Sequence, residues 1–139
     1  MARRVQVTLT GNEGKLLIAK AAKQTEQVRK CLEGHKLLLC GGTTVSAFSE
    51  ELGFEPLRIS GRIEATGTRT ALQVSDAPHN LLIENGISRN VDNQIQAVME
   101  TMDADDLIVV GANAIDTAGR AALAFAALGG GSRGYALHS

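Results

Sequence analysis

One stretch of this chain limits its possible folds more than any other. Leu37-Leu38-Leu39-Cys40 is an unbroken apolar run, and Gly41-Gly42-Thr43-Thr44 comes directly after it. With the preceding Lys36 it has the length of a strand, and a strand that is apolar on both faces must be covered on both. Such runs are typical of strands inside parallel sheets. Beyond the glycines, Val45, Phe48 and Leu52 recur at helical spacing, and Gly53 closes the segment. Leu107-Ile108-Val109-Val110 repeats the motif: apolar, β-branched, and ended by Gly111. Strand, glycine turn and helix in that order point to an α/β fold with a largely parallel sheet.

The remaining segments fit around those two strands. Val5, Val7 and Leu9 alternate with polar residues and predict a short strand. From Gly14 the spacing becomes helical, with Leu17, Ala21, Val28 and Leu32 on one face and Gly34 as the stop. Leu57–Ser60 reads as a short strand, followed by a glycine- and threonine-rich loop to Ala71 that carries Arg58, Arg62 and Arg69 nearby or within it. Leu81-Leu82-Ile83 runs into Asn85-Gly86, a strong hairpin-turn dipeptide, with Ile87 beginning the return strand. Asp92 is placed to cap a helix with Val91, Ile95, Val98 and Met102 on one face. Thr117–Arg120 reads as a turn, and Ala121–Leu128 suits either a helix or a buried strand.

Composition narrows the function classes. The 139 residues suffice for one domain, taken here as residues 1–139. The net charge of -1 lacks the basic excess of a nucleic-acid module. Aromatic residues make up 3%, so base-stacking platforms are nearly absent and no nucleic-acid partner is expected. No apolar run approaches the roughly 20 residues that span a bilayer, so no membrane partner is expected either. Cys31 and Cys40 do not form a disulfide framework, and a reduced, cytoplasmic setting fits them. His35, His79 and His138 are scattered without metal-ligand spacing, so neither a metal nor a resident cofactor is expected.

Three glycine-rich places can carry chemistry. Gly41, Gly42, Thr43 and Thr44 lie between a strand end and a helix start. There the backbone N–H groups and the helix dipole favour an anion, and the threonines add hydroxyl groups. The plainer alternative is a tight turn with a threonine cap. In Gly111–Asp116, Asn113 and Asp116 are the polar side chains. Asp116 could act as a general base or bind sugar hydroxyls, or both residues could simply organise a turn. Gly129, Gly130, Gly131, Ser132, Arg133 and Gly134 match Gly-x-Gly-x-x-Gly. A dinucleotide site would need an acidic residue about 20 positions further on, beyond the last residue here. A glycine loop lining a ligand pocket, with Arg133 as an anion contact, competes with a flexible tail.

Taken together, Leu38–Leu52, Leu107–Asp116 and Gly129–Gly131 resemble the three ligand loops of the ribose-5-phosphate isomerase, glucosamine-6-phosphate deaminase and CoA-transferase superfamily. The likeness spans about Gly14–Gly134. It is strongest to prokaryotic members with Gly-Gly-Thr-Thr and Gly-Ala-Asn-Ala-Ile/Leu-Asp loops. The resemblance implies a three-layer Rossmann-like fold, with helices on both faces of the sheet. It also implies an anionic ligand: a sugar phosphate, a nucleotide or a CoA ester. The isomerases carry an aspartate where this chain has Asn113, and an amide cannot serve as a general base. An isomerase or related enzyme would therefore have to use Asp116. A non-enzymatic metabolite sensor or structural protomer is the other alternative. The strands that normally come after the glycine loop are missing, which implies a minimal version or a truncated piece completed by another segment or chain. An edge strand left open in this way favours self-association as a homodimer or larger.

Overall fold

The computed structural model describes residues 4–70, 76–124 and 134–135. The chain begins extended and enters helix α1 (Gly11–Lys23) through a capping box. Thr10 Oγ1 accepts a hydrogen bond from Glu13 N at 3.3 Å, and Glu13 Oε2 accepts one from Thr10 N at 2.7 Å. The expected strand at Val5–Leu9 joins no sheet among the described residues.

The single helix expected from Gly14 to Gly34 is two helices. Thr25 is extended, with φ -68° and ψ 147°, and its hydroxyl donates to Ala22 O at 2.7 Å. It separates α1 from α2 (Glu26–Gly34) and lets each helix choose its own buried face. Val28 and Cys31 of α2 are buried. In α1, Ala19 is buried while Leu17 and Ala21 are exposed, the reverse of the expected face.

Strand β1 (Lys36–Cys40) sits inside a four-stranded sheet of order β5-β4-β1-β6. After it come α3 (Thr43–Glu51), the hairpin β2 (Gly61–Glu64) and β3 (Gly67–Thr70), and the second hairpin β4 (Asn80–Glu84) and β5 (Ile87–Asn90). Next are the short helix α4 (Ile95–Met99), β6 (Leu107–Val109), and the small hairpin β7 (Ala114–Ile115) and β8 (Ala121–Ala122). The segment Leu57–Ser60 is not a strand, and the residues after it form β2–β3 rather than a loop.

The expected largely parallel, three-layer Rossmann-like sheet is overturned. Among the described strands of the sheet only β1 and β6 run parallel; β1–β4 and β4–β5 are antiparallel. The cause lies in the connections. A parallel neighbour needs a long crossover, usually a helix. The connection from β1 to β4 does contain helix α3, but the chain then runs back over that helix, makes the β2–β3 hairpin and arrives with His79 against Gly41 at the carboxyl end of β1, so β4 starts from that end and runs the other way. Asn85 and Gly86, at φ 52° and 74°, then reverse the chain in two residues, so β5 must also be antiparallel.

The apolar runs do report burial, though not strand direction. Leu37, Leu39, Leu81 and Ile83 meet Ala19, Val28, Cys31, Val45 and Phe48 of α1, α2 and α3. On the opposite side Leu38, Cys40 and Leu82 meet Val91, Ile95, Val98 and Met99. Each fully buried leucine of these strands contributes roughly 1.5–3 kcal/mol. The start of β1 is tied to β6 by Asp106, whose carboxylate accepts from Lys36 N at 2.7 Å and lies 3.6 Å from Lys36 Nζ.

Candidate functional site

The carboxyl end of β1 and that of β6 lie side by side, because Leu39 is in register with Val109. The glycines that come after the two strands converge on one side chain. A Cβ on Gly42 or on Gly111 would stand 3.9 Å from Val45 Cγ2, in the first turn of α3. The structure thus brings the first two glycine loops together at their bases.

At Gly41 the absence of a side chain is obligatory. A Cβ there would lie 2.5 Å from both Cε1 and the carbonyl oxygen of His79, and would also collide with Nδ1. Gly41 is buried, so the His79 imidazole is stacked directly against the turn that opens α3. Gly42 is the N-cap of that helix and offers no side-chain cap; its carbonyl accepts from Ser46 N at 2.8 Å. A helix start leaves backbone N–H groups without intrahelical partners and carries partial positive charge. Thr43 is exposed and Thr44 half-buried at this end.

The chain after α3 is drawn back over the helix. Leu57 N donates to Ser46 Oγ at 3.0 Å, and Ser49 Oγ donates to Glu55 O at 2.6 Å. Arg58 N then donates to Pro78 O at 2.8 Å, which brings Arg58 and Ser60 beside His79. His79 Nδ1 donates to Arg58 O at 2.8 Å, so Nδ1 carries a proton. Ser60 Oγ lies 3.1 Å from Nδ1 and 3.4 Å from Nε2, at the exposed side of the ring.

Asp92 holds this arrangement from behind. Its Oδ2 accepts from His79 N at 3.0 Å and from Arg58 Nη2 at 3.3 Å. Its Oδ1 accepts from Asn80 N at 2.6 Å and from Asn80 Nδ2 at 3.2 Å. Burial pushes the Asp92 carboxyl up. The two backbone N–H donors and the Arg58 guanidinium outweigh that and hold it below its ordinary value. Asp92 does not cap α4 as its sequence position suggests; Gln94 occupies that cap position and Asp92 binds backward onto β4. Asn80 is 4% exposed, and its Oδ1 has no hydrogen-bond partner among the described residues.

The second loop takes a different course. Asn113 and Asp116 leave the sheet on the exposed β7–β8 hairpin. Asn113 Oδ1 accepts from Ala124 N at 2.8 Å. Asp116 Oδ1 accepts from Ala118 N and Arg120 N, each at 2.9 Å, and Oδ2 accepts from Arg120 Nε at 2.6 Å. The Arg120 donors lower the Asp116 pKa. Both side chains organise their own turn, in which Gly119 has φ 79°. A shallow depression of about 330 Å³ lies on this hairpin, walled by alanines and Ile115 with the Asp116–Arg120 pair. Gly129, Gly130, Gly131, Ser132 and Arg133 lie outside the described residues, as does most of Ala121–Leu128 beyond β8.

Sequence reasoning missed His79, Ser60, Asn80 and Asp92 as members of one cluster. Nothing local marks them, because the contacts join residues 12 to 34 apart in the chain. Arg58 was legible as a residue able to flank an anion or to sit in a solvated loop; it is half-buried against Asp92. Among the described residues, no group of three or more His, Cys, Asp or Glu side chains is arranged to hold a metal ion, and no helix is long and apolar enough to cross a membrane.

The fold and site define a small mixed α/β chain with a histidine-backed glycine turn at the end of its central parallel pair of strands. No protein-family model, curated protein or solved structure matches the chain. The resemblance to the sugar-phosphate isomerase and CoA-transferase superfamily therefore rests on the loop motifs alone.

Proposed function

We propose that this chain binds a small molecule through an anionic group at the turn Gly41–Thr44. The ligand class is a sugar phosphate, a nucleotide or a CoA ester. One observation carries the reading. The His79 ring stacks on a side-chain-free Gly41 beside a helix start that has no side-chain cap. Backbone N–H groups, the Thr43 and Thr44 hydroxyls, Ser60 and the imidazole then lie around the carboxyl end of β1, where a helix start favours an anion. Arg58 supplies positive charge from behind, although Asp92 shares it. The setting suited to Cys31 and Cys40, both buried and without a disulfide, is the reducing cytoplasm.

The test is a thermal-shift titration with inorganic phosphate, ribose 5-phosphate, AMP and acetyl-CoA. A ligand that binds only the folded chain stabilises it by about 2.7 kcal/mol at one hundred times its dissociation constant. The shift is expected to shrink in Thr43→Ala/Thr44→Ala and in His79→Gln, and to persist in Asp116→Asn. A folded protein that responds to none of the four ligands would sink the reading. A shift abolished by Asp116→Asn alone would move the site to the β7–β8 hairpin.

A further inference from the structure

Asp92, Ser60 and His79 bring nucleophilic atoms to the cluster behind Gly41, and their hydrogen bonds rank them. Both carboxylate oxygens of Asp92 are occupied by donors from His79, Asn80 and Arg58, so that side chain anchors the cluster. Ser60 Oγ lies 3.1 Å from His79 Nδ1 and 3.4 Å from Nε2. The nearer nitrogen already holds a proton, because Nδ1 donates to Arg58 O at 2.8 Å. It cannot take the serine proton, and a hydroxyl without an adjacent base is a weak nucleophile. His79 is the reverse case. With the proton fixed on Nδ1, the lone pair of the neutral ring stands on Nε2. The Arg58 carbonyl orients the ring, and Asp92 Oδ2 accepts from the His79 backbone N at 3.0 Å. Gly41 leaves room for the ring to lie on the turn. His79 is half-buried and Ser60 beside it is exposed, so the ring is not sealed within the core.

We propose that His79 Nε2 is a phosphoryl acceptor that forms a covalent phosphohistidine. The inference rests on the reading of Gly41–Thr44 as an anion site, and it narrows the ligand to a phosphoanhydride: an acyl phosphate or a nucleoside triphosphate. A phosphate monoester is a poor donor, because its P–O bond is more stable than the N–P bond that would replace it. Nε2 attacks the terminal phosphorus of the donor. The N–P bond forms from the Nε2 lone pair. The anhydride P–O bond breaks, and its electron pair leaves on a carboxylate or a nucleoside diphosphate. No proton has to be removed from the nucleophile. The ring becomes an imidazolium whose Nδ1 proton stays on Arg58 O, and that carbonyl stabilises the new positive charge. Ser60 Oγ, beside Nε2, is within reach of an oxygen of the transferred group.

Intact-mass measurement of the full chain after incubation with acetyl phosphate, or with ATP and magnesium, tests the inference. A gain of one phosphoryl group is expected, stable in alkali and lost in acid as an N–P bond is, and the donor that gives it identifies the source. Fragmentation should place the group on His79, and phosphorus NMR should show the Nε2 isomer; neither readout depends on a variant. His79→Asn keeps an N–H donor where Nδ1 stands and removes Nε2. It should keep its circular dichroism and take no label. His35→Gln, at the opposite end of β1, should label as the wild type does. A label on Nδ1, on another histidine, or on Ser60 (stable in acid, lost in alkali) overturns the inference, as does a chain that neither donor labels. In that last case, a persisting thermal shift with inorganic phosphate leaves the anion site standing and removes only the nucleophile. A label on His79 in a chain that inorganic phosphate does not stabilise upholds the phosphoryl acceptor and removes the anion site at the turn.

Discussion

The two glycine loops look alike in sequence and behave differently in the folded chain. Each comes after an apolar strand, and each offers glycines beside polar side chains. The first turns inward: Gly41 is buried, His79 lies on it, and α3 begins at once. The second turns outward into the β7–β8 hairpin, where Asn113 and Asp116 bind the backbone of their own turn. The cause is the element next in the chain. Val45 and Phe48 recur at helical spacing and are buried against β1, which pulls the first turn into the core. The second loop leads into Thr117–Arg120 and two exposed alanines, which present nothing to bury. A strand-end glycine motif becomes a candidate site when the next element has an apolar face to dock.

That contrast can be broken most directly at the glycines. Gly41→Ala forces a methyl group into the His79 backbone and ring, and is expected to cost about 3 kcal/mol or prevent folding. Gly111→Ala meets only Val45 Cγ2 at ordinary contact distance and should change stability by about 1 kcal/mol or less. Urea denaturation of both variants decides the matter; equal losses would remove the distinction between the loops.

The aspartates behind the two loops offer a smaller effect. Asp92→Ala leaves the N–H groups of His79 and Asn80 without their acceptor and should cost about 2–3 kcal/mol. Asp116→Ala removes bonds confined to an exposed turn and should cost about 1 kcal/mol or less, by the same denaturation measurement. A larger loss at Asp116 would show that the outer hairpin supports the core.

The smallest effect is the pH response. Asp92 and Asp106 both have folded-state pKa values below the ordinary 3.8. For Asp106, burial pushes upward while Lys36 N, Asp103 N and the Lys36 charge outweigh it. Below 3.8 the unfolded chain binds more protons than the folded one at these positions. Their contribution is therefore complete above that value and is lost as pH falls through the lower folded values. The denaturation midpoint should stay flat near neutrality and fall in acid, with a shallower fall in Asp92→Ala. A midpoint insensitive to acid would contradict the clamp that Asp92 forms behind the first loop.

Much of this architecture was written locally. The run Leu37–Cys40 announced a strand covered on both faces, because adjacent side chains in a strand point to opposite sides. Asn85-Gly86 announced its hairpin, because those residue types accept the positive φ that the turn needs. Val45, Phe48 and Leu52 announced α3 by their spacing.

The tertiary structure alone decided the rest. Whether β4 would lie parallel or antiparallel to β1 depended on the route of the chain between them, not on the apolar run itself. Which face of α1 would be buried depended on the break at Thr25 and on the contact with α3, so Leu17 lies outside and Ala19 inside. The meeting of Arg58, Ser60, His79, Asn80 and Asp92 depended on three separate segments arriving at one strand end. Periodicity and turn propensity act over a few residues and can be read from them. Strand direction and polar contacts between distant segments are settled only when the whole chain has found what each surface can bury.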